Sequence, residues 1–155
     1  MIEGVIFKTL ISHNDVRGFF REVGRQASET EFWGPVNQVS HTFMKAGVLK
    51  AWHYHLKQTD YWYVVKGKAL IGLCDIRKNS KTFEKKMRFY VDGHLSGSVV
   101  KIPPGVAHGI RADCDVDMVY FTSRVYDPND ELRLPPDHKK IGFNWNVKPV
   151  GDWHV

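Results

Sequence analysis

Two segments of the chain place histidines at closely matched spacings, and they constrain the fold more than any other feature. Residues 47–67 have the form G-x5-H-x-H-x4-D-x6-G, and residues 97–108 have the form G-x5-P-P-G-x2-H. Side chains two residues apart point to the same face of a β-strand. His53 and His55 are therefore expected on one strand face, with Asp60 opening the next strand. The two segments predict a small β-barrel that gathers three histidines and one acid at its mouth.

Signals for β-strands are dense in the rest of the chain. Residues 61–73 are rich in aromatic and β-branched side chains, and Lys66-Gly67-Lys68 within them is typical of a hairpin turn. Further expected elements are strands at 36–43, 98–102 and 117–122, and short helical turns at 14–20 and within 129–140. Many short strands separated by Gly and Pro indicate an all-β sandwich or barrel. Together with the histidine segments, they resemble a cupin-type double-stranded β-helix, a jelly-roll barrel.

The chain length of 155 residues fits a single cupin domain over residues 1–155. From Pro128 onward the sequence predicts a short C-terminal tail that packs over the barrel, with Trp145 and Trp153 as its apolar anchors. No linker or second domain is expected.

Composition excludes several classes of function. No apolar run approaches the roughly 18 residues that span a bilayer, and the N-terminal segment lacks the pattern of a signal peptide. No membrane association is therefore expected. Cys74 and Cys114 form no CxxC pair and are predicted to be free thiols, which favours a cytoplasmic location. The net charge of +5 is spread over scattered lysine pairs. It indicates mild attraction for a diphosphate ligand, and no nucleic-acid partner is expected.

The histidine segments allow two kinds of chemistry. Three histidines and a carboxylate are a good ligand set for Fe(II), Mn(II), Ni(II) or Zn(II), and the same groups can act without a metal as acids and bases. The acid is an aspartate where the cupin pattern usually has a glutamate, and its shorter side chain weakens the metal interpretation. One reading is thus a metal-dependent cupin isomerase or dioxygenase using His53, His55, Asp60 and His108.

Two further groups of residues carry functional signals. In residues 15–22 (DVRGFFRE), Arg17 can bind a phosphate, Phe19 can stack on a base and Glu22 can accept a hydrogen bond from a base edge. Tyr120 lies within a predicted strand and Tyr126 precedes a turn. Tyrosines that face a histidine across a barrel are suitable proton donors.

Four stretches together resemble the dTDP-4-dehydrorhamnose 3,5-epimerase family over about residues 5–146. They are residues 15–22, Gln38 fifteen residues before His53, IPPGVAHGI at 102–110 and YDPNDELRLP at 126–135. The resemblance implies a cofactor-free, metal-independent cupin barrel, usually a homodimer, that epimerises nucleotide-linked 4-keto-6-deoxy sugars. In that chemistry a ketone at C4 acidifies the hydrogens at C3 and C5. A base removes one to form an enolate, and an acid returns a proton to the opposite face.

The resemblance also implies roles for individual residues. His53 matches the catalytic base and Tyr120 the acid. The positions matching substrate-binding residues are Arg17, Phe19, Glu22 and Gln38 on the nucleotide, Lys50 and His108 near the diphosphate, and Tyr126 in the sugar pocket. Lys50 stands where the family has an arginine, which keeps the charge and loses the two-pronged geometry.

This chain departs from the family in the sugar pocket. His55 stands where the family has a glutamine, and Asp60 stands near the place of a lysine that stabilises the enolate. One hypothesis is that a cationic His55 supported by Asp60 replaces that lysine; a metal acting as a Lewis acid is the competing one. In the family the catalytic base is paired with a carboxylate from the C-terminal region. The candidate for that carboxylate in this tail is Asp152, at a displaced spacing. Inversion at C3 alone or at C3 and C5, and dTDP, CDP or GDP as the nucleotide, remain open. A sugar-binding or regulatory cupin without catalysis is a third hypothesis.

Overall fold

The computed structural model describes residues 1–95 and 97–147. Within them the chain forms strands and no helix. The strands are β1 Ile6–Thr9, β2 Ser12–Asp15, β3 Gly18–Arg21, β4 Gln38–Met44, β5 Leu49–Tyr54, β6 Asp60–Lys66, β7 Lys68–Asp75, β8 Lys86–Asp92, β9 Ser98–Ile102, β10 Val106–Ala112, β11 Val116–Thr122 and β12 Leu132–Arg133. The strands expected at 36–43, 98–102 and 117–122 are confirmed as β4, β9 and β11, with small shifts of their ends. Nothing in the described ranges is a helix that could cross a membrane.

Two five-stranded antiparallel sheets pack face to face and confirm the all-β jelly-roll barrel. Sheet 1 has the order β1-β9-β6-β11-β4, and sheet 2 has the order β12-β5-β10-β7-β8. The main core lies between them, where Trp62 and Met118 of sheet 1 join Ile71 and Ile110 of sheet 2 in one buried cluster. Burial of such side chains contributes about 1.5–3 kcal/mol each. Polar side chains gather between the sheets at one end.

The expected hairpin at Gly67 is wrong. β6 belongs to sheet 1 and β7 to sheet 2, so the chain crosses between sheets at Gly67 rather than folding back on itself. Gly67 has φ +91°, and a Cβ there would lie 2.2 Å from the carbonyl oxygen of Asp115. A corner that is both left-handed and tightly packed requires glycine. The local signals of a corner and a hairpin turn are the same.

The helical turns expected at 14–20 and within 129–140 are also wrong. Residues 12–21 form a separate hairpin of β2 and β3, in which Asp15 accepts a 2.8 Å hydrogen bond from the backbone N–H of Arg17. Asp127 closes a similar turn by accepting from the N–H of Asn129 at 2.9 Å. Short polar side chains that bond to their own backbone favour turns over helices.

The C-terminal tail packs over the outer face of sheet 2, as expected. Trp145 is buried against Trp52 and Phe143. Gly72 and Gly109 are paired across β7 and β10, and a Cβ on either would lie within 3.0 Å of the Trp145 ring. These two glycines leave the space that the indole fills. Trp153, the second expected anchor, lies outside the described residues. Cys74 and Cys114 are free thiols.

Candidate active site

A pocket opens between the two sheets at the end of the barrel where the polar residues gather. It brings together most of the residues that the sequence singles out. The lining residues are Gln38, Thr42, Lys50, His53, His55, Gln58, Asp60, Trp62, His108, Ile110, Met118, Tyr120, Thr122, Tyr126 and Glu131. His53 and His55 do face the same side, as the two-residue spacing predicts, and the second histidine segment delivers His108 to the same place.

His53 lies on β5 between two neighbouring strands. On β10 its register partner is His108, and on β12 it is Arg133. Its Nδ1 lies 3.3 Å from Oε1 of Glu131, and its side chain is 31% exposed. Burial, with the nearby Arg133 charge, lowers the pKa of His53, while Glu131 partly offsets this effect. The imidazole is therefore neutral near pH 7 and can accept a proton.

Glu131 is the carboxylate partner of His53 that the sequence analysis did not identify. Pairing of β12 with β5 brings Glu131 beside the histidine, and the Arg133 guanidinium holds it at 2.6 Å. Burial opposes ionisation of Glu131, yet its hydrogen bond and charge interaction with Arg133 keep its pKa below the usual range. Asp152, the carboxylate expected in this role, lies outside the described residues. The signal that could have revealed Glu131 is its place in the 126–135 run.

Tyr120 faces the pocket from the opposite sheet. It lies on β11 beside Trp62 of β6 and Ser40 of β4, and its ring packs against the main core. Since His53 comes from sheet 2 and Tyr120 from sheet 1, the two side chains line the pocket from opposite walls.

The mouth of the pocket is polar. Gln38 accepts a 2.8 Å hydrogen bond from the backbone N–H of Tyr126 through its side-chain oxygen and donates to Ser40 at 3.0 Å. The exposed Lys50 donates to Thr42 at 2.9 Å. Gln38, Tyr126 and Lys50 thus give the pocket mouth polar groups and one positive charge.

A buried carboxylate that the sequence analysis missed fixes the loop after β5. Asp130 is 5% exposed, and its side chain accepts from the backbone N–H groups of Leu56, Lys57 and Gln58 at 2.8–3.2 Å. Its backbone carbonyl accepts from Nδ1 of His55 at 2.7 Å. Asp130 thereby sets the orientation of the His55 ring.

Asp60 lies deeper in the pocket and is 4% exposed. It accepts from the Gln58 amide at 2.7 Å and from the Trp62 indole at 3.2 Å. Nε2 of His108 and Nε2 of His55 lie 3.6 and 3.9 Å from its Oδ2. Burial is the largest cause that lowers the pKa of His108, to about 4.

Three of the residues expected to bind the nucleotide lie outside the pocket. Arg17 pairs with Asp15, Phe19 contacts Arg21 and His94, and Glu22 pairs with Arg25. Arg17, Phe19 and Glu22 are all exposed on or beside the β2–β3 hairpin.

Comparison with known proteins gives similarity along nearly the whole chain. A profile of the family described as dTDP-4-dehydrorhamnose 3,5-epimerase matches residues 1–152. The spore coat polysaccharide biosynthesis protein SpsL of Bacillus subtilis (strain 168) is 41% identical over 153 residues, covering 96% of this chain and 99% of that one. The dTDP-4-dehydrorhamnose 3,5-epimerase structure from Sulfolobus tokodaii is 30% identical with a TM-score of 0.83, covering 94% and 83%. ChmJ, a 3'-monoepimerase from Streptomyces bikiniensis in complex with dTDP-quinovose, is 27% identical with a TM-score of 0.86, covering 97% and 80%.

Proposed function

The chain belongs to the dTDP-4-dehydrorhamnose 3,5-epimerase family. We therefore propose that it inverts the configuration at C3 of a nucleotide-linked 4-keto-6-deoxyhexose, either at C3 alone or at both C3 and C5. The observation that carries this proposal is the pairing of His53 with Glu131 on one wall of the pocket, opposite Tyr120 on the other. A role in polysaccharide biosynthesis fits the name of the 41% identical relative, a spore coat polysaccharide biosynthesis protein.

His53 is the proposed base. A carboxylate accepts a hydrogen bond from Nδ1–H, so Glu131 holds the tautomer in which Nε2 keeps its lone pair. Nε2 removes the hydrogen next to the C4 ketone, and the electron pair of the broken C–H bond moves into the enolate. A positioned base of this kind contributes about 10²–10⁴-fold to the rate.

Tyr120 is the proposed acid. Inversion requires that a proton return to the carbon from the face opposite the one that lost it. His53 and Tyr120 come from facing sheets, which is the arrangement that this stereochemistry needs. The phenol gives its proton to the carbon and the enolate collapses to the ketone. Solvent then returns a proton to the phenolate and takes the one held by His53.

The remaining pocket residues are proposed to bind the substrate. Lys50 offers a positive charge to the diphosphate, and Gln38 with Tyr126 contacts the nucleotide-sugar at the mouth. His55, Asp60 and His108 line the deeper part, where the sugar enters.

A panel of dTDP-, CDP- and GDP-linked 4-keto-6-deoxyhexoses tests the function. After incubation with the protein, borohydride reduction of the ketone and stereochemical analysis would give the configuration at C3 and C5. We expect inversion at C3 with one nucleotide preferred. If no member of the panel is epimerised, the proposed function is wrong. In deuterated water, label at C3 alone identifies a 3-epimerase, as the name of ChmJ describes that protein, and label at both carbons with both inverted identifies a 3,5-epimerase.

We further propose that a second copy of the chain completes the site as a homodimer. β4 is the edge strand of sheet 1, and its outward side chains Val39 and Phe43 are 59% and 51% exposed. The β2–β3 hairpin also presents apolar rings to solvent, with Phe20 66% exposed. Exposed apolar edge strands are usually covered. A two-fold dimer would cover them and bring the hairpin to the partner's pocket.

A mixing experiment tests whether the site is shared. We expect Phe19→Ala and His53→Asn each to be poorly active alone, yet to regain about a quarter of wild-type activity when co-expressed, because half of the dimers are mixed and each contains one intact site. The measurement is the activity of the whole co-expressed dimer population, with separately purified and freshly combined variants as the control. Absence of any gain over the separate variants would show that the hairpin does not serve a partner's pocket.

Replacement of Glu131 tests its role as the positioning residue for His53. Glu131→Gln is expected to lower kcat by roughly 10²-fold with little change in KM, because the base loses its orienting carboxylate. Glu131→Asp should recover part of kcat. Arg133→Gln is the matched control. It keeps the Glu131 carboxylate facing His53 and should therefore lower kcat less than Glu131→Gln does. Equal losses in kcat and stability for all three variants would indicate a purely structural role.

A further inference from the structure

We propose that His55, Asp60 and His108 form a binding site for one divalent transition-metal ion. The site lies in the same pocket as His53 but does not include it. This inference stands on the geometry of the three side chains and does not depend on the epimerase activity.

Both histidines are held in the tautomer that a metal ligand needs. Nδ1 of His55 lies 2.7 Å from the carbonyl oxygen of Asp130, and Nδ1 of His108 lies 3.0 Å from that of Val106. A carbonyl oxygen can only accept, so each Nδ1 carries a proton. In the neutral ring each Nε2 then keeps its lone pair. Metal-binding histidines almost always donate their second ring nitrogen to a carbonyl or carboxylate in this way.

The contacts of Gln58 indicate that Nε2 of His55 acts as an acceptor. The Gln58 amide nitrogen lies 3.3 Å from Nε2 of His55 and 2.7 Å from Oδ1 of Asp60. The amide nitrogen donates one hydrogen to each, which requires a lone pair on Nε2 of His55. A protonated Nε2 would instead place two donors against each other.

The free ligand atoms converge on a common point. Nε2 of His108 and Nε2 of His55 lie 3.6 and 3.9 Å from Oδ2 of Asp60, and one ligand atom from each residue lies within 4.8 Å of the other two. These distances are too long for hydrogen bonds. Metal–ligand bonds of about 2.0–2.2 Å separate tetrahedral ligands by roughly 3.3–3.6 Å. Small movements of the side chains would therefore close the triad on an ion.

The charge of Asp60 points to the same conclusion. Its carboxylate is 4% exposed, and in the described ranges its ion-pair contacts are with His55 and His108 alone. Buried carboxylates are paired with a cation or coordinate a metal. Since both Nδ1 atoms bond to carbonyl oxygens, the triad turns two Nε2 atoms and one carboxylate oxygen inward, which is a ligand set for a cation.

The ligand chemistry limits the ion. Two imidazoles and one carboxylate suit Zn(II), Fe(II), Co(II), Ni(II) or Mn(II) better than the harder Mg(II) and Ca(II), which prefer oxygen ligands. When bound, such an ion supplies Lewis-acid polarisation of a substrate oxygen in this pocket. His53 keeps its own partner in Glu131 and stays available as a base.

Cobalt binding to the substrate-free protein tests the site. Protein without an affinity tag is stripped with a chelator and titrated with Co(II), while visible d–d absorption and calorimetry are recorded. We expect one Co(II) per chain, a spectrum of low coordination number, and competition by Zn(II). Asp60→Asn and His55→Gln should each weaken binding by more than the roughly 10–100-fold that metal sites lose when only a supporting hydrogen bond is removed.

The matched control is His41→Asn, which removes an exposed histidine that pairs with Asp117 at 2.9 Å on the surface. It should leave Co(II) binding unchanged. Melting temperatures identify any variant that fails to fold, and His55→Gln serves where the buried Asp60→Asn does not fold. Equal Co(II) binding by wild type and folded His55→Gln would overturn the inference and leave a His55 imidazolium–Asp60 pair. An active protein that binds no Co(II) refutes only the metal site, whereas an inactive protein that binds it refutes only the epimerase.

Discussion

Replacing His53 by asparagine is expected to lower epimerisation of the preferred 4-keto sugar by about 10²–10⁴-fold, the usual contribution of a general base. The amide keeps the approximate size and polarity of the ring but cannot accept a proton. Because His53 is 31% exposed and lies outside the main core, the fold should tolerate the change. The loss should appear mainly in kcat, since the nucleotide and diphosphate contacts remain.

Deuterium exchange separates loss of the base from loss of binding. In deuterated water the His53→Asn protein should incorporate no label at C3 or C5, even at saturating substrate. His138→Asn, a change after β12 and outside the pocket, is the control and should exchange as the wild type does. Label entering the variant at the wild-type rate would mean that another group removes the proton.

The convergence of His53, His55, Asp60 and His108 on one pocket could be predicted because it depends on strand periodicity. Alternation of side chains at the end of β5 puts His53, and His55 just after the strand, on one face whatever the neighbouring strands are. The second segment supplies His108 through a strand that pairs with β5. Asp60 follows because it begins the next strand. Local spacing and sheet pairing agree here, so the sequence was sufficient.

The partner of His53 could not be predicted in the same way. Glu131 reaches His53 because β12, only two residues long, pairs with the edge of β5. Such a short strand carries no periodic signal of its own. The prediction of a hairpin at Gly67 was wrong for a related reason. Whether a chain turns back or crosses to the facing sheet is decided by distant pairing partners and not by the residues of the turn.

The residues of the β2–β3 hairpin show another limit. Arg17, Phe19 and Glu22 are spaced as the resemblance requires, yet none lines the pocket of its own chain. Motif spacing along a chain does not say which copy of the chain a residue serves. The proposed contact between copies rests on the exposed outer face of β4, which the sequence pattern alone does not distinguish from a solvated surface.

Replacing Tyr120 by phenylalanine is expected to lower formation of the inverted sugar by about 10²–10⁴-fold while proton removal continues. The ring stays in place against the core, so packing is preserved and only the hydroxyl is lost. His53 can still take the proton, exchange it with solvent and return it to the same face. The variant should therefore incorporate deuterium with retention of configuration, a result that loss of binding or of the base cannot produce.

Tyr126→Phe provides the comparison for Tyr120→Phe, because Tyr126 also lines the pocket but is 60% exposed at its mouth. Loss of the Tyr126 hydroxyl should raise KM more than it lowers kcat. The decisive measurement is the ratio of deuterium wash-in to inversion, followed by nuclear magnetic resonance for wild type and both variants. For Tyr120→Phe this ratio should rise by the same factor by which inversion falls. An unchanged ratio would show that Tyr120 is not the acid. Inversion would then still accompany proton exchange as it does in the wild type, so another group would be donating the proton.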